Sequence, residues 1–270
     1  MSVIKADYNV TAGTTYTFDV VASEWTLKQG TNTGAGTGFN FENTSYPAGT
    51  QFDLNVTSAS TSSVSWNVTI GSEFDEGTNS GFDILGFVLL LFYPIMISGG
   101  FSTWDQDEIE KGPELFRLFF VDPVGYSDLL TELSNDTYVE SMFTDPEWTF
   151  SQLQGEFVNS SSTAVFDWYL SGRYYSSADN TDFKGVYNMK FAFDKTTGAV
   201  KGFRMYIDYT GNVAGSIMEI DMVQHFEVEG YNLPAFLIFP SGFISGFELL
   251  IAIPTLAVIG TIAYIIKKRK

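Results

Sequence analysis

From Leu249 to Ile266 the chain runs eighteen residues without a charge, LLIAIPTLAVIGTIAYII, and then meets Lys267, Lys268, Arg269 and Lys270. As a helix rising about 1.5 Å per residue this run covers roughly 27 Å, close to the ~30 Å hydrocarbon core of a bilayer. A helix apolar all round would have to be buried on every side in water, whereas lipid accepts it as it stands. Residues 249–270 are therefore expected to form a single transmembrane helix with a basic stop-transfer tail. Pro254 falls in the first turns of that helix, where a missing backbone donor costs little. The four cations are expected to remain on the cytoplasmic side, which puts the bulk of the chain outside the cell membrane.

The charge balance agrees with an exterior address. Four of the 14 basic side chains lie in the tail, so ten remain against 32 acidic ones and the outer part carries about −22. Such a surface repels polyanions, and no nucleic-acid partner is expected. The chain has no cysteine, which removes disulfides, thiolate metal sites and cysteine nucleophiles together. Asn-x-Ser/Thr sequons begin at Asn9, Asn43, Asn55, Asn67, Asn135 and Asn159, over twice the number that composition alone predicts, and these are the glycosylation candidates. Met1–Val10 holds one lysine and only the apolar pair Val3 and Ile4, so no signal peptide is expected there.

The outer part reads as mainly β (α+β). Residues 1–71 form an expected N-terminal antiparallel module, with Tyr16, Phe18 and Val20, then Phe52, Leu54 and Val56, then Val64, Trp66, Val68 and Ile70 alternating with polar residues. Gly30–Gly38 and Ser58–Ser63 read as flexible loops, and Pro47 with Gly49 marks a turn. Residues 72–146 form a mixed connecting segment. Within it Ile84–Ser98 is apolar but only fifteen residues long and lacks a basic flank; it is expected to be a buried strand, or two strands broken near Pro94. Short helical patterns follow at Glu114–Phe120, Ser127–Leu133 and Thr137–Phe143. Residues 147–239 return to alternation as an antiparallel meander, with turns at Asp194–Gly198 and Thr210–Asn212, and 240–248 is a linker to the membrane helix. One face of this meander needs a cover, which the middle helices or the first sheet would supply.

Taken together, the alternation of Tyr8–Gly71, the run around Pro94, F-x-F-D-K-T-T-G-A-V at Phe191–Val200, G-Y-N-L-P at Gly230–Pro234 and S-G-F-E ahead of the C-terminal span resemble the choice-of-anchor S domain surface proteins of Asgard archaea. That resemblance extends over most of the chain. It implies a surface address and supplies neither a reaction nor a catalytic residue.

Chemistry is sparse. His225 is the one histidine, set among Glu219, Asp221, Glu227 and Glu229, and reads as a solvated strand residue. No G-x-S-x-G elbow occurs, and Gly34–Gly38 breaks the dinucleotide pattern at Phe39. Asp105, Asp107, Glu108 and Glu110 are calcium candidates by ligand type, but the spacing is not that of an EF-hand, so a solvated acidic loop is expected. Trp168, Tyr174 and Tyr175 are candidates for a ligand surface, with sheet core as the competing assignment. No catalysis and no cofactor are expected. The functional expectation is a single-pass envelope protein with a structural or recognition role, whose partners are the lipid bilayer and envelope proteins or glycans. Two alternatives remain. One is a binding module holding an apolar or glycan ligand in the C-terminal sheet, in a cavity lined by Met189, Phe191, Met205, Ile207, Ile220 and Met222. The other is a two-carboxylate hydrolase, which needs a cleft with paired acids.

Overall fold

The computed structural model describes residues 8–91, 104–135, 137–139 and 147–234. The linker, Leu249–Ile266 and Lys267, Lys268, Arg269 and Lys270 lie outside the described residues, and no described helix is long and apolar enough to cross a membrane. The fold is mainly β. Twelve strands are described: β1 Thr15–Gln29, β2 Asn32–Thr37, β3 Phe39–Phe41, β4 Thr44–Tyr46, β5 Gln51–Ala59, β6 Ser63–Ile70, β7 Glu73–Ser80, β8 Trp148–Asn159, β9 Thr163–Ser176, β10 Thr181–Asp194, β11 Val200–Val213 and β12 Ser216–Val228. Ten of them make one antiparallel sheet in the order β7-β6-β5-β1-β12-β11-β10-β9-β8, with β2 also on β1, and β3 and β4 form a separate hairpin. The N-terminal strands and the C-terminal meander are thus edge-joined through β1 and β12.

The inner face is continuous because alternation keeps each apolar set on one side. Phe166 and Trp168 on β9, Met189 and Phe191 on β10, Phe203 and Ile207 on β11, and Ile220 and Phe226 on β12 are all buried. At Val21 a β-bulge shifts the parity of β1: Phe18 and Val20 point inward before it, whereas Ser23 and Trp25 do so after it, opposite Gln224 and Met222. The bulge shifts the register with β12, yet β1 turns buried side chains to the core on both sides of it.

Helices from the middle of the chain cover this face: α1 Ile84–Leu91, α2 Gln106–Lys111 and α3 Pro123–Leu133. The expectation of a strand at Ile84 is corrected to a helix. Ile84, Phe87, Val88 and Leu91 follow helical rather than alternating spacing; the last three are buried and Ile84 packs against them, while residues 92–98 lie outside the description. Trp168 Nε1–H donates to the Leu91 carbonyl at 3.1 Å, fixing the end of α1 on β9. Asp122 caps α3, its carboxylate accepting from Val124 N–H, and Pro123 takes the first helical position. Ser127–Leu133 is helical as expected, and so are the described residues 137–139.

Glu114–Phe120 is not a helix. Its backbone donors are claimed from outside: Leu115 N–H by Asn40 O, Phe116 N–H by the Gln224 side chain and Phe120 N–H by the Asn79 side chain. These bonds hold the segment extended. The glycine-rich stretch after Gly30 is also corrected, from loop to strand β2. A Cβ on Gly34 would stand 2.6 Å from Ile109 Cγ2, and one on Gly36 would stand 3.0 Å from the Trp25 ring. Glycine here admits an indole and a helix against the backbone. The final hairpin turns two residues later than expected, at Ala214 and Gly215, where both φ values are positive.

Candidate functional site

Between the inner face and the wall formed by α2 and residues 112–117 lies a cavity of about 770 Å³. Leu27, Met205, Ile220 and Met222 form an apolar floor. Unbranched methionines suit such a floor, because their side chains adapt to differently shaped occupants. The two central methionines belong to the alternation that makes β11 and β12 strands at all. Of the residues expected to line a cavity, Met205, Ile220 and Met222 do so; Met189, Phe191 and Ile207 are instead fully buried in the filled part of the core.

The wall is tied down by polar groups. Gln224, projecting inward from β12, donates through Nε2 to the Glu114 carbonyl at 3.0 Å and accepts from Phe116 N–H at 3.3 Å. Asn40 N–H donates to Pro113 O at 2.8 Å, and Asn40 O accepts from Leu115 N–H at 3.0 Å. Residues 113–116 are thus held from both sides. At the rim Arg117 meets three carboxylates: Asp75 at 2.7 Å, Glu42 at 2.9 Å and Glu114 at 3.0 Å, and its guanidinium stands over the Phe41 ring. This network joins β7, the β3–β4 turn and the wall.

The calcium candidates serve the helix instead. Asp105 caps α2 and forms a reciprocal capping box with Glu108, and Glu110 accepts from Gln106. Asp107 is exposed in the first turn. Among the described residues no group of three His, Asp or Glu is placed to hold a metal. The expected acidic loop is therefore the helix α2. Of the aromatic candidates, Trp168 and Tyr174 are core residues, and Tyr174 OH donates to Glu147 at 2.8 Å. Tyr175 alone is exposed, with the Arg173 guanidinium over its ring. The sequons at Asn9, Asn43, Asn135 and Asn159 are exposed. Asn55 and Asn67 face each other across β5 and β6, half-buried, on the side away from the core, with Asn55 Nδ2 donating to Asn67 Oδ1 at 3.2 Å.

On the outer face, two features went unread in the sequence. The first is a transverse row in which Glu156, Asp167, Lys190, Arg204 and His225 occupy successive strands β8 to β12 in register. His225 is buried rather than solvated, because the chain returns across this face after β12. Tyr231 and Leu233 pack against Val165 and Ala192, and Leu233 N–H donates to Glu227 at 2.8 Å. Burial and then Arg204 lower the His225 pKa, against the pull of Glu227, so the ring is neutral near pH 7. In that state Nδ1 accepts from Arg204 and Nε2–H donates to Glu227, each at 3.2 Å.

The second feature is acidic. Asp208 and Asp221 stand directly opposite on β11 and β12, near Glu219 and Glu24. Burial first, and then these neighbours, raise both carboxyl pKa values. A raised folded-state pKa means stability that is fully present below the unfolded value and lost as pH rises through the folded one. Asp208→Asn is accordingly expected to stabilise the protein by about 0.5 kcal/mol at pH 7 and to flatten the loss between pH 4 and pH 7, as read by urea unfolding at several pH values. This carboxylate pair lies on the face opposite the cavity, so the two do not combine into the cleft a glycoside hydrolase needs.

No protein-family model matches the chain, and no curated protein is found to be similar to it.

Proposed function

We propose that the protein is a membrane-anchored surface protein whose sheet domain holds an apolar or amphiphilic ligand against its inner face. The cavity above Met205, Ile220 and Met222 carries this reading. Its volume falls within the range of small-molecule sites, and it combines an apolar floor with a few convergent polar groups. Anchoring rests on the apolar run Leu249–Ile266 with its basic tail. Attachment would keep the domain beside a source of amphiphiles, and the exposed sequons Asn9, Asn43, Asn135 and Asn159 suit a glycosylated exterior. No bond making or breaking is required of any residue in this reading.

The test uses the full chain in nanodiscs, exposed to a diazirine-tagged alkyl chain and mapped by peptide mass spectrometry after illumination. Labels are expected on residues 205–222 and 104–117, and Met222→Trp should remove most of them by filling the cavity. Labels confined to residues 249–266, or unchanged by Met222→Trp, would overturn the proposal. In intact cells, external protease should digest the labelled domain; full protection would overturn the exterior address.

A further inference from the structure

Resting on that reading, the mouth of the cavity can be located from burial. Its methionine floor is buried, whereas among the described residues that line it Asn43, Glu108, Lys111 and Glu114 are exposed. A side chain that both lines a cavity and meets solvent marks the opening. The mouth is therefore framed by the β3–β4 turn on one side and by α2 with the start of the wall on the other. Lys111 Nζ reaches across to Asn43 Oδ1 at 3.4 Å.

Asn43 also heads the sequon Asn43-Thr44-Ser45. Its local geometry suits attachment of a sugar. Glu42 and Asn43 both have positive φ in a tight turn, which Asn43 N–H braces by donating to Asn40 Oδ1 at 3.1 Å. The Lys111 ammonium can only donate, so the atom facing it is the amide oxygen. Nδ2, the atom a glycan is joined to, then lies on the opposite side of the amide. Ser45, whose hydroxyl completes the sequon, is exposed as well. The other sequons differ. Asn55 and Asn67 are half-buried and bonded to each other, while Asn9, Asn135 and Asn159 are exposed but do not line the cavity.

We infer that Asn43 carries an N-linked glycan that stands over the mouth and slows ligand passage in both directions. The sugar comes from a lipid-linked oligosaccharide diphosphate. Nδ2 bonds to the anomeric carbon, the bond from that carbon to the diphosphate oxygen breaks, and the amide gives up one proton as the diphosphate anion departs. A bulky hydrated chain at the opening raises the barrier to entry and exit alike. It leaves the contacts of a seated ligand with the Met205–Ile220–Met222 floor as they are, so rates change and affinity does not.

The test uses the full chain, purified from its own cells into nanodiscs. Peptide mass spectrometry is expected to find a glycan on Asn43. Loading of the diazirine-tagged alkyl probe is then followed by illumination at increasing times after mixing. Ser45→Ala destroys the sequon while leaving Asn43 and its turn in place, and should load about threefold faster to the same final label. Ser45→Thr keeps the sequon and should load like the unaltered protein. Ser161→Ala removes the Asn159 sequon, away from the mouth, and should leave the rate unchanged. An unmodified Asn43, an unchanged rate in Ser45→Ala, or an equal acceleration in Ser161→Ala overturns the inference and leaves the cavity as a binding site. Absence of cavity labelling in every form overturns both.

Discussion

Trp168→Ala is expected to destabilise the protein by about 3–5 kcal/mol, the range for deleting a large aromatic from a packed core. The indole is fully buried on β9, stacked on Phe166 with ring centroids 6.1 Å apart. Its Nε1–H also donates to the Leu91 carbonyl of α1. The substitution therefore leaves a cavity and unpins a helix. Guanidinium unfolding monitored by far-ultraviolet circular dichroism reads the effect. Tyr175→Ala, on the exposed face of the same strand, should change stability by less than about 0.5 kcal/mol. A small loss at Trp168 would return that residue to the ligand-surface candidates and show the core to be loosely packed.

Asp167→Ala is expected to cost a similar amount, about 3–5 kcal/mol, for an electrostatic reason. Lys190 Nζ lies 3.0 Å from Asp167 Oδ2, and both side chains are fully buried. Burial lowers the Lys190 pKa, and Asp167 is the main influence holding it up. Without the carboxylate, the buried ammonium beside Arg204 loses its main counter-charge and keeps the weaker pull of Glu156. The pairing itself is not the source of stability, since taking both ions out of water offsets their attraction. Asp167→Leu combined with Lys190→Met should accordingly recover most of the loss. The sign of the pH response separates this from a packing defect. A depressed lysine pKa gives stability that is present above the ordinary value of 10.5 and lost as pH falls through the folded one. The single variant should therefore weaken further on going from pH 10 to pH 7, whereas a packing defect would be indifferent to pH.

The sheet was legible because alternation is a local signal with global consequences. Phe203, Met205 and Ile207 announce one buried face without reference to any partner, and so do Met218, Ile220 and Met222. The floor of the cavity came with them. Its walls did not, because Asn40 and Gln224 act through bonds to residues 113–116 that lie more than 70 positions away from one and more than 100 from the other. The same reason hid the extended course of Glu114–Phe120, whose composition allows a helix but whose backbone donors are taken by β3, β7 and β12. In the strand β2, glycine spacing signals a loop when read alone; the indole of Trp25 that needs the missing side chains comes from the neighbouring strand. His225 shows the corresponding limit for polarity. Its neighbours in sequence are acidic, which reads as a wet face, yet residues 231–233 cross that face and close it. By contrast, the spacing of Ile84, Phe87, Val88 and Leu91 was present to be read as a helix, and the length of the whole run obscured it.

The pairing of β1 with β12 has a kinetic consequence. Among the described strands, the first made during synthesis finds one entire flank only when the last has been produced, about two hundred residues later. Hairpins such as β10–β11 can assemble as they emerge from the ribosome, but the seam between the two halves depends on the most distant contact in the sheet. Until it closes, β1 is an open edge flanked by aromatic residues, a surface on which chaperone capture and misassociation compete with completion of the fold.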